Sequence, residues 1–497
     1  MTIGVAGHMS IVRSFRRNLN RKTVAVVLSG QGLEYVRSLD ETVLSKVVSF
    51  PDYYRENSPV IRELDDQEIL DQSREVEAQL GVSSVNPYHY YDRDLRKNGD
   101  WNHVIRRHLL NLRFVAKLLV DARYYFVRGE NVTHIGCLIQ QAAHGLGHRY
   151  IRPSNARLPN RLEFGSRILG PNCGMEAAYD RIRSGATDDT TKKAVEQADQ
   201  WLASFLDNPS QPSWALRNSR TRLHLSKRVY QYAQIGLQRA TRPLRQSRDA
   251  RRFDREARMT GFPGANFVNQ MLLPDLRRML HLRRSIFRRA VSMEGDFVYM
   301  PLQYSPEIST LVYGYRYEDQ MNLVRTLAAY LPTGCRLLVK DHMSMMGRRP
   351  YAFYKELESF YNVQVVSPSV STFELLNKCR AVATNTGTPG WEGFVMGKPV
   401  LVFGDVFYRY FPNVLGLEFS QDMGEKIRSY LDNFKADETV IRNCVASYFA
   451  STYGCTMVDI GEDTPPDKVE EQADLFAEAC RWAVESLEDD FPIDWEH

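Results

Sequence analysis

The residues whose spacing could do the most chemistry run from Asn385 to Gly393, Asn-Thr-Gly-Thr-Pro-Gly-Trp-Glu-Gly. Gly387 permits close backbone approach, Thr386 and Thr388 supply hydroxyls, and Pro389 suits the first turn of a helix. A helix starting there aims unpaired amides and its positive dipole end at whatever lies above it, which is the chemistry of a phosphate cradle. Glu392, one turn into that helix, is placed to accept from ribose hydroxyls. The same residues also make an ordinary well-capped helix with no ligand. A Walker-type loop is excluded. Gly397-Lys398 is followed by Pro399 and lacks the upstream glycine and trailing Ser or Thr.

Two further clusters hold polar groups next to apolar runs. Lys340-Asp341-His342 follows Arg-Leu-Leu-Val. A cation and an imidazole at the end of a strand can bind phosphate through charge-assisted hydrogen bonds, although a single His is more often structural. Gln303 and Glu307 follow Phe297–Leu302 and are binding candidates if that run is a strand ending in a cleft. A solvent loop accounts for them equally well.

The elements that must position these groups are short β-branched runs alternating with helical stretches, the pattern of a parallel sheet covered by helices. Strands are expected at 23–29, 46–50, 123–127 and 148–151 in the first half. In the second half they fall at 297–302, 336–340, 363–366, 381–384 and 399–403, with helices at 317–330, 351–361, 371–378 and 389–396 between them. Five strand–helix units in that order predict a Rossmann-like domain, whose ligands bind beyond the carboxyl ends of the strands. Pro465-Pro466 opens an acidic helix over 467–487 with Ala473, Phe476, Ala477, Cys480, Trp482 and Ala483 as its apolar face. The expected fold class is α/β, in two Rossmann-like domains. The boundaries are 1–180, a helical Arg-rich insertion 181–290, a nucleotide-donor domain 291–460 and a C-terminal helix 461–497.

A chain of 497 residues is too long for one core, and its 43% hydrophobic and 25% charged residues exclude disorder and low-complexity classes. Seven Cys with no CxxC pair fit a reducing compartment, and neither a secretory leader nor a membrane span is expected. The net charge of +4 conceals an asymmetry. Between Arg217 and Arg289, eighteen Arg and one Lys face four acidic residues, a net of +15, which leaves −11 for the rest of the chain. Interleaved apolar residues make amphipathic basic helices there, suited to an anionic membrane surface or acceptor, or else to a solvated linker. Nucleic acid is disfavoured, since no zinc-finger, RNP-like or helix-turn-helix pattern accompanies the charge.

Phe297–Ser309, Leu331–His342, Thr384–Gly393 and Gly397–Tyr408 resemble, in order, successive motifs of the bacterial capsule polysaccharide biosynthesis family. That family includes transferases of Kdo, an eight-carbon acidic sugar, from a CMP-linked donor. The resemblance implies a GT-B-like fold, no resident cofactor, a nucleotide-sugar donor and a glycan or glycolipid acceptor. Together with the Cys usage and the basic segment, the expected location is the cytoplasm, peripheral at the inner face of the membrane. The resemblance also implies a donor site from Gln303, Glu307, Lys340, His342, Thr386, Gly387, Thr388 and Glu392. The family's His-Pro pair is His342-Met343 here. Sugar transfer needs a base or nucleophile from the first domain. Glu130 is the preferred candidate, with His144 and His148 behind it. No Asp-x-Asp pattern lies near the donor motifs, since Asp65-Asp66 and Asp188-Asp189 are adjacent pairs elsewhere, so a metal-independent reaction is expected. Two alternatives remain at this point: a nucleotide-sugar epimerase of the same fold, and a non-catalytic glycan-binding or assembly protein.

Overall fold

The computed structural model describes residues 13–15, 17, 24–37, 44–93, 95–96, 99–119, 125–127, 133–210, 253, 273–455 and 466–487. Glu130 and most of the basic segment lie outside the described residues. In the N-terminal half, β1 (Val24–Val27) pairs in parallel with β2 (Lys46–Ser49). β3 (Tyr125–Val127) pairs in parallel with β4 (Arg149–Asn155), and β4 pairs antiparallel with β5 (Leu162–Gly165). The helix Trp101–Leu119 supplies the centre of this half, burying Leu109, Leu112 and Val115 completely. They pack against Leu138 and Ala142 of the helix His134–Gly145 and against Phe50.

The C-terminal half is one parallel sheet. Its strands are β6 (Phe297–Pro301), β7 (Arg336–Lys340), β8 (Val363–Val366), β9 (Ala381–Thr384), β10 (Val400–Val402) and β11 (Val414–Gly416). Their spatial order is β8-β7-β6-β9-β10-β11, the doubly wound order of a Rossmann sheet. Successive side chains point to opposite faces, so one run of apolar residues feeds two cores. Tyr299, Leu338, Val382 and Val400 face one side, while Val298, Leu337, Val339, Ala383 and Leu401 face the other. The α/β class is therefore as expected. β11, a strand not anticipated, extends the sheet beyond β10.

Two long segments cross between the halves. The helix Asp189–Asp207, within the segment read from sequence as the insertion, packs on the C-terminal half. Trp201 stacks on the buried Trp391 with ring centroids 5.8 Å apart, and Asp199 holds Arg442 through two contacts of 2.6 and 2.7 Å. That ion pair is exposed and adds little; the stacked indoles and the helix Glu438–Ala450 beneath them supply the attachment. The helix Pro466–Ser486 runs back to the N-terminal half. Ala473, Phe476, Cys480 and Ala483 bury themselves against Ile151 and Phe164, with Trp482 half-buried at the edge. The expected apolar face is the one used. All seven Cys are buried free thiols, as a core role requires.

Replacing Phe476, 1% exposed, leaves a cavity where the last helix meets β4 and β5. Phe476→Ala is expected to cost about 3–5 kcal/mol, read as a lower denaturation midpoint at unchanged slope.

Candidate active site

In the doubly wound order the chain leaves β6 in one direction and β9 in the other, which opens a crevice beyond their carboxyl ends. The loops that border it carry Gln303 after β6 and Thr386–Thr388 after β9. The residues are joined to each other directly. With its amide oriented by its neighbours, Gln303 Oε1 accepts from Thr386 N and Gly387 N, both at 2.6 Å, and Nε2 donates to Thr386 Oγ1 at 3.2 Å. Gln303 is fixed from behind as well: its N–H donates to Gln320 Oε1 at 2.6 Å, and its carbonyl accepts from Gln320 Nε2 and Arg349 Nη2.

This arrangement narrows the expected phosphate cradle. Thr386 and Gly387 N–H are taken by Gln303, with Thr384 Oγ1 also accepting from Gly387 N at 2.9 Å. Pro389 has no N–H, and Gly390 N bonds to Gly387 O. Thr388 N–H is the amide at this helix start without a partner among the described residues. The glycines here serve packing. A Cβ on Gly390 would fall 2.5 Å from the Tyr408 hydroxyl, which itself donates to Gly387 O. The helix Thr388–Val395 can thus sit directly on β9.

The loop after β7 adds the second wall. Lys340 Nζ donates to Val370 O at 2.7 Å and Thr372 Oγ1 at 2.9 Å; burial pushes its pKa down to about 8, with the Glu392 carboxylate opposing. Asp341 is 2% exposed and accepts from the Tyr354 hydroxyl at 2.5 Å, from Arg349 at 3.2 Å and from His342 N–H at 2.8 Å. His342 Nδ1 accepts from Ser344 N–H at 3.2 Å, so the neutral ring carries its proton on Nε2. Surrounding protein lowers its pKa, against the pull of Asp341 and Glu307, and the ring stays open to solvent. An outward N–H donor at the crevice is the result. Met343, in place of proline, packs on the apolar core while the ring of His342 caps the turn Met343–Met345. The turn is specified without proline.

The other expected donor residues sit differently. Glu307 is exposed and caps the short helix Ile308–Leu311, accepting from Ser309 Oγ at 3.2 Å. Glu392 is 1% exposed. Its burial keeps it off the open crevice wall where a ribose contact was expected, and its carboxylate opposes the lowering of the Lys340 pKa. Glu130 lies outside the described residues. His148 is buried with Nε2 3.0 Å from Leu119 O, a structural bond that removes it from the candidate bases. His144, half-buried at a helix end, has its pKa lowered by burial.

The segment after β6 also ties the halves together. Ile308, Leu311 and Val312 enter the core built by the helix Trp101–Leu119. Tyr315 meets Tyr91 at 5.3 Å, and Arg96 pairs with Glu318. On the far side, Asp405 accepts from Gly170 N at 3.1 Å, and Arg157 N donates to the Tyr448 hydroxyl at 2.8 Å. Behind this joint is a histidine cluster that no sequence signal announces. His108 stacks on His134 at 4.6 Å, His89 lies 5.5 Å from His108, and Asn111 Nδ2 is 2.8 Å from His134 Nδ1. Burial holds all three rings low, His108 down to about 3, with neighbouring His and Arg107 adding to the effect at His108 and His134. Among the described residues, no group of three His, Cys, Asp or Glu could hold a metal ion, and no helix is long and apolar enough to cross a membrane.

Residues 283–446 match the family of capsule polysaccharide biosynthesis proteins. The matched segment contains every described donor-loop residue, and the resemblance read from the sequence holds over it. Among solved structures, the chain is similar to the β-Kdo 2,4 transferase of Thermosulfurimonas dismutans KpsC at 13% identity and a TM-score of 0.33, over 65% of this chain and 78% of that one. It is similar to the β-Kdo 2,7 transferase of the same KpsC at 15% identity and a TM-score of 0.25, over 41% and 62%. The glycotransferase of kitacinnamycin follows at 11% identity and a TM-score of 0.23, over 98% and 96%. No curated protein matches the chain.

Two outcomes follow from this geometry. Gln303→Ala leaves the buried Thr386 amide without its acceptor and Gly387 N with Thr384 Oγ1 alone, an expected loss of about 1–3 kcal/mol visible in a thermal melt. For the histidines, the unfolded chain binds protons below about pH 6.5 that the folded chain refuses, so stability is full above that pH and falls toward about pH 3. Each ring contributes a slope approaching about 1.4 kcal/mol per pH unit. His108→Phe, which keeps a ring on His134, is expected to make denaturation midpoints measured from about pH 7 to pH 5 less pH-dependent by roughly one proton.

Proposed function

We propose that this chain is a glycosyltransferase of capsule or surface polysaccharide assembly. It moves a sugar from a nucleotide-sugar donor, with a CMP-linked acidic sugar such as Kdo favoured, to the polysaccharide or its lipid-linked acceptor. The observation that carries this reading is convergence. Gln303 is tied to Thr386 and Gly387 at the switch point of a doubly wound sheet, with His342 following the neighbouring strand β7, and all lie inside the segment that matches the capsule family.

In this reading the donor phosphate meets the Nε2–H of neutral His342, the Thr388 N–H and the Thr388 hydroxyl. Donors fixed in advance stabilise charge as it develops on the departing phosphate oxygen. Gln303 and Arg349 hold the loops rather than the nucleotide. The buried Glu392 carboxylate helps keep Lys340 protonated, and Glu307 stands at the mouth of the crevice. The acceptor hydroxyl attacks the anomeric carbon, the bond from that carbon to the phosphate oxygen breaks, and Glu130 takes the hydroxyl proton. The nucleotide leaves with the bonding electrons. The nucleotide sugar is a substrate, and no resident cofactor is invoked. The enzyme works in the cytoplasm, at the inner face of the membrane, with Arg217–Arg289 toward an anionic surface.

A radiolabelled CMP-linked sugar incubated with and without acceptor tests the reading. Transfer only in the presence of acceptor is expected, unaffected by a chelator. His342→Ala is expected to lower it by about 10²-fold and Glu130→Ala by about 10²–10⁴-fold, both with unchanged melting curves. Donor altered without acceptor would instead mark an epimerase. Tight nucleotide binding with no turnover would mark a binding or assembly protein.

A further inference from the structure

The basic segment is described again from Leu273, where the helix Leu273–Leu282 begins. Its two faces differ sharply. Pro274, Arg278 and His281 are buried, whereas Leu276, Met279 and Leu280 are 44%, 44% and 57% exposed. Positions 276, 279, 280 and 283 follow helical spacing and lie on one side. Arg277, Arg283 and Arg284 are exposed around that apolar trio.

The buried face rests on the loop that follows His342. Gly347 has φ +84°, and a Cβ there would fall 1.9 Å from Pro274 O, so the helix backbone sits directly on this turn. The His281 ring meets Tyr351 at 5.7 Å and Tyr354 at 6.0 Å. Tyr354 in turn donates to Asp341, which accepts from His342 N–H. The outer face therefore stands one layer away from the candidate donor site.

We propose that this outer face is a docking surface for an anionic lipid leaflet. Leu276, Met279 and Leu280 enter the boundary between headgroups and acyl chains, while Arg277 and Arg283 pair with lipid phosphates. Charge selects the occupant. From Leu273 to Arg289 six Arg face one acidic residue, Asp275, so an anionic partner is attracted to this region and copies of the same region repel each other. Area points the same way. Three half-exposed side chains fall well short of the roughly 800 Å² per partner of a stable protein interface, yet they suit shallow insertion beside a basic rim. The proposal rests on the transferase reading only for its purpose, which is to bring the crevice to a lipid-linked acceptor.

The test uses the full chain, without donor or acceptor, and vesicles of phosphatidylcholine with or without phosphatidylglycerol. Co-sedimentation with the anionic vesicles alone is expected, weakening as salt is raised. Leu276→Ser/Met279→Ser/Leu280→Ser is expected to reduce binding about tenfold, and Arg277→Gln/Arg283→Gln to reduce the preference for anionic lipid about fivefold. Both variants alter exposed residues, and unchanged melting curves establish that they fold. Transfer to a soluble acceptor is expected to be unchanged in both, which separates failure of docking from failure of the transferase reading. The proposal is overturned by absence of vesicle binding, by equal binding to neutral vesicles, or by an apolar variant that binds like the parent chain. A change of oligomeric mass in that variant, with vesicle binding intact, would assign the face to a second copy and also overturn it.

Discussion

One side-chain amide holds the crevice in shape. Gln303, at the end of the central strand, accepts from the backbone of Thr386 and Gly387, at the end of the strand beside it. A doubly wound sheet separates its loops at this point, since the chain departs in opposite directions from β6 and β9. Without a cross-tie, the turn before the helix Thr388–Val395 would lose the acceptor of Thr386 N–H and be held only within its own loop, through Thr384 Oγ1 and Gly387 N–H. With the tie, both walls are referenced to β6. Arg349 extends the same reference to the third wall by binding both the Gln303 carbonyl and Asp341. The buried Asp341 is itself satisfied by Tyr354, by Arg349 and by the His342 amide, so its own charge is compensated.

The tie also determines what the rest of the chain must do. A crevice at a strand end is half a site, and its other half must come from across the gap. The segment following Gln303 leaves the sheet and buries Ile308, Leu311 and Val312 in the N-terminal core. The polypeptide that carries a donor-side residue is thus also a strut between the halves. The helix Pro466–Ser486 returns in the opposite direction and closes the arrangement. Two contiguous stretches of chain, rather than scattered surface contacts, fix the relative position of the walls. The exposed ion pairs across the structure are minor beside them.

Much of this was legible in the sequence for a simple reason. Parallel strands buried on both faces must be short continuous apolar runs, and Arg336–Lys340, Val363–Val366 and Ala381–Thr384 form strands at those positions. Order along the chain then gave the strand ends and the residues beyond them. What was not legible depends on direction rather than position. A Gln next to a strand could face ligand or backbone, and nothing in its neighbours says that it bonds to amides more than eighty residues away. Glu392 has helical spacing suited to the crevice, yet its side is the one against Lys340. Arg349 and Tyr354 look like ordinary loop and helix residues until the fold brings both to Asp341. The three histidines 89, 108 and 134 come from three separate helices, so no local spacing unites them. For the helix Asp189–Asp207 the length was readable and the docking partner, Trp391, was not.

Met343 stands where the motif that this segment resembles has proline, and the turn is ordered by other contacts. Proline after His would pre-set the backbone and reduce the entropy lost on ordering the loop. Here the same end is reached by different contacts. His342 caps the turn with its own Nδ1, Met343 adds apolar burial, and Gly347 accepts the helix Leu273–Leu282 against its backbone. The cost is a dependence on a neighbouring element, since a loop ordered by packing is ordered only while the packing partner is in place. That partner belongs to the most basic stretch of the chain. The region that sets the charge asymmetry is therefore not an appendage hung between two domains. Its helix Leu273–Leu282 packs its backbone against the turn that follows His342.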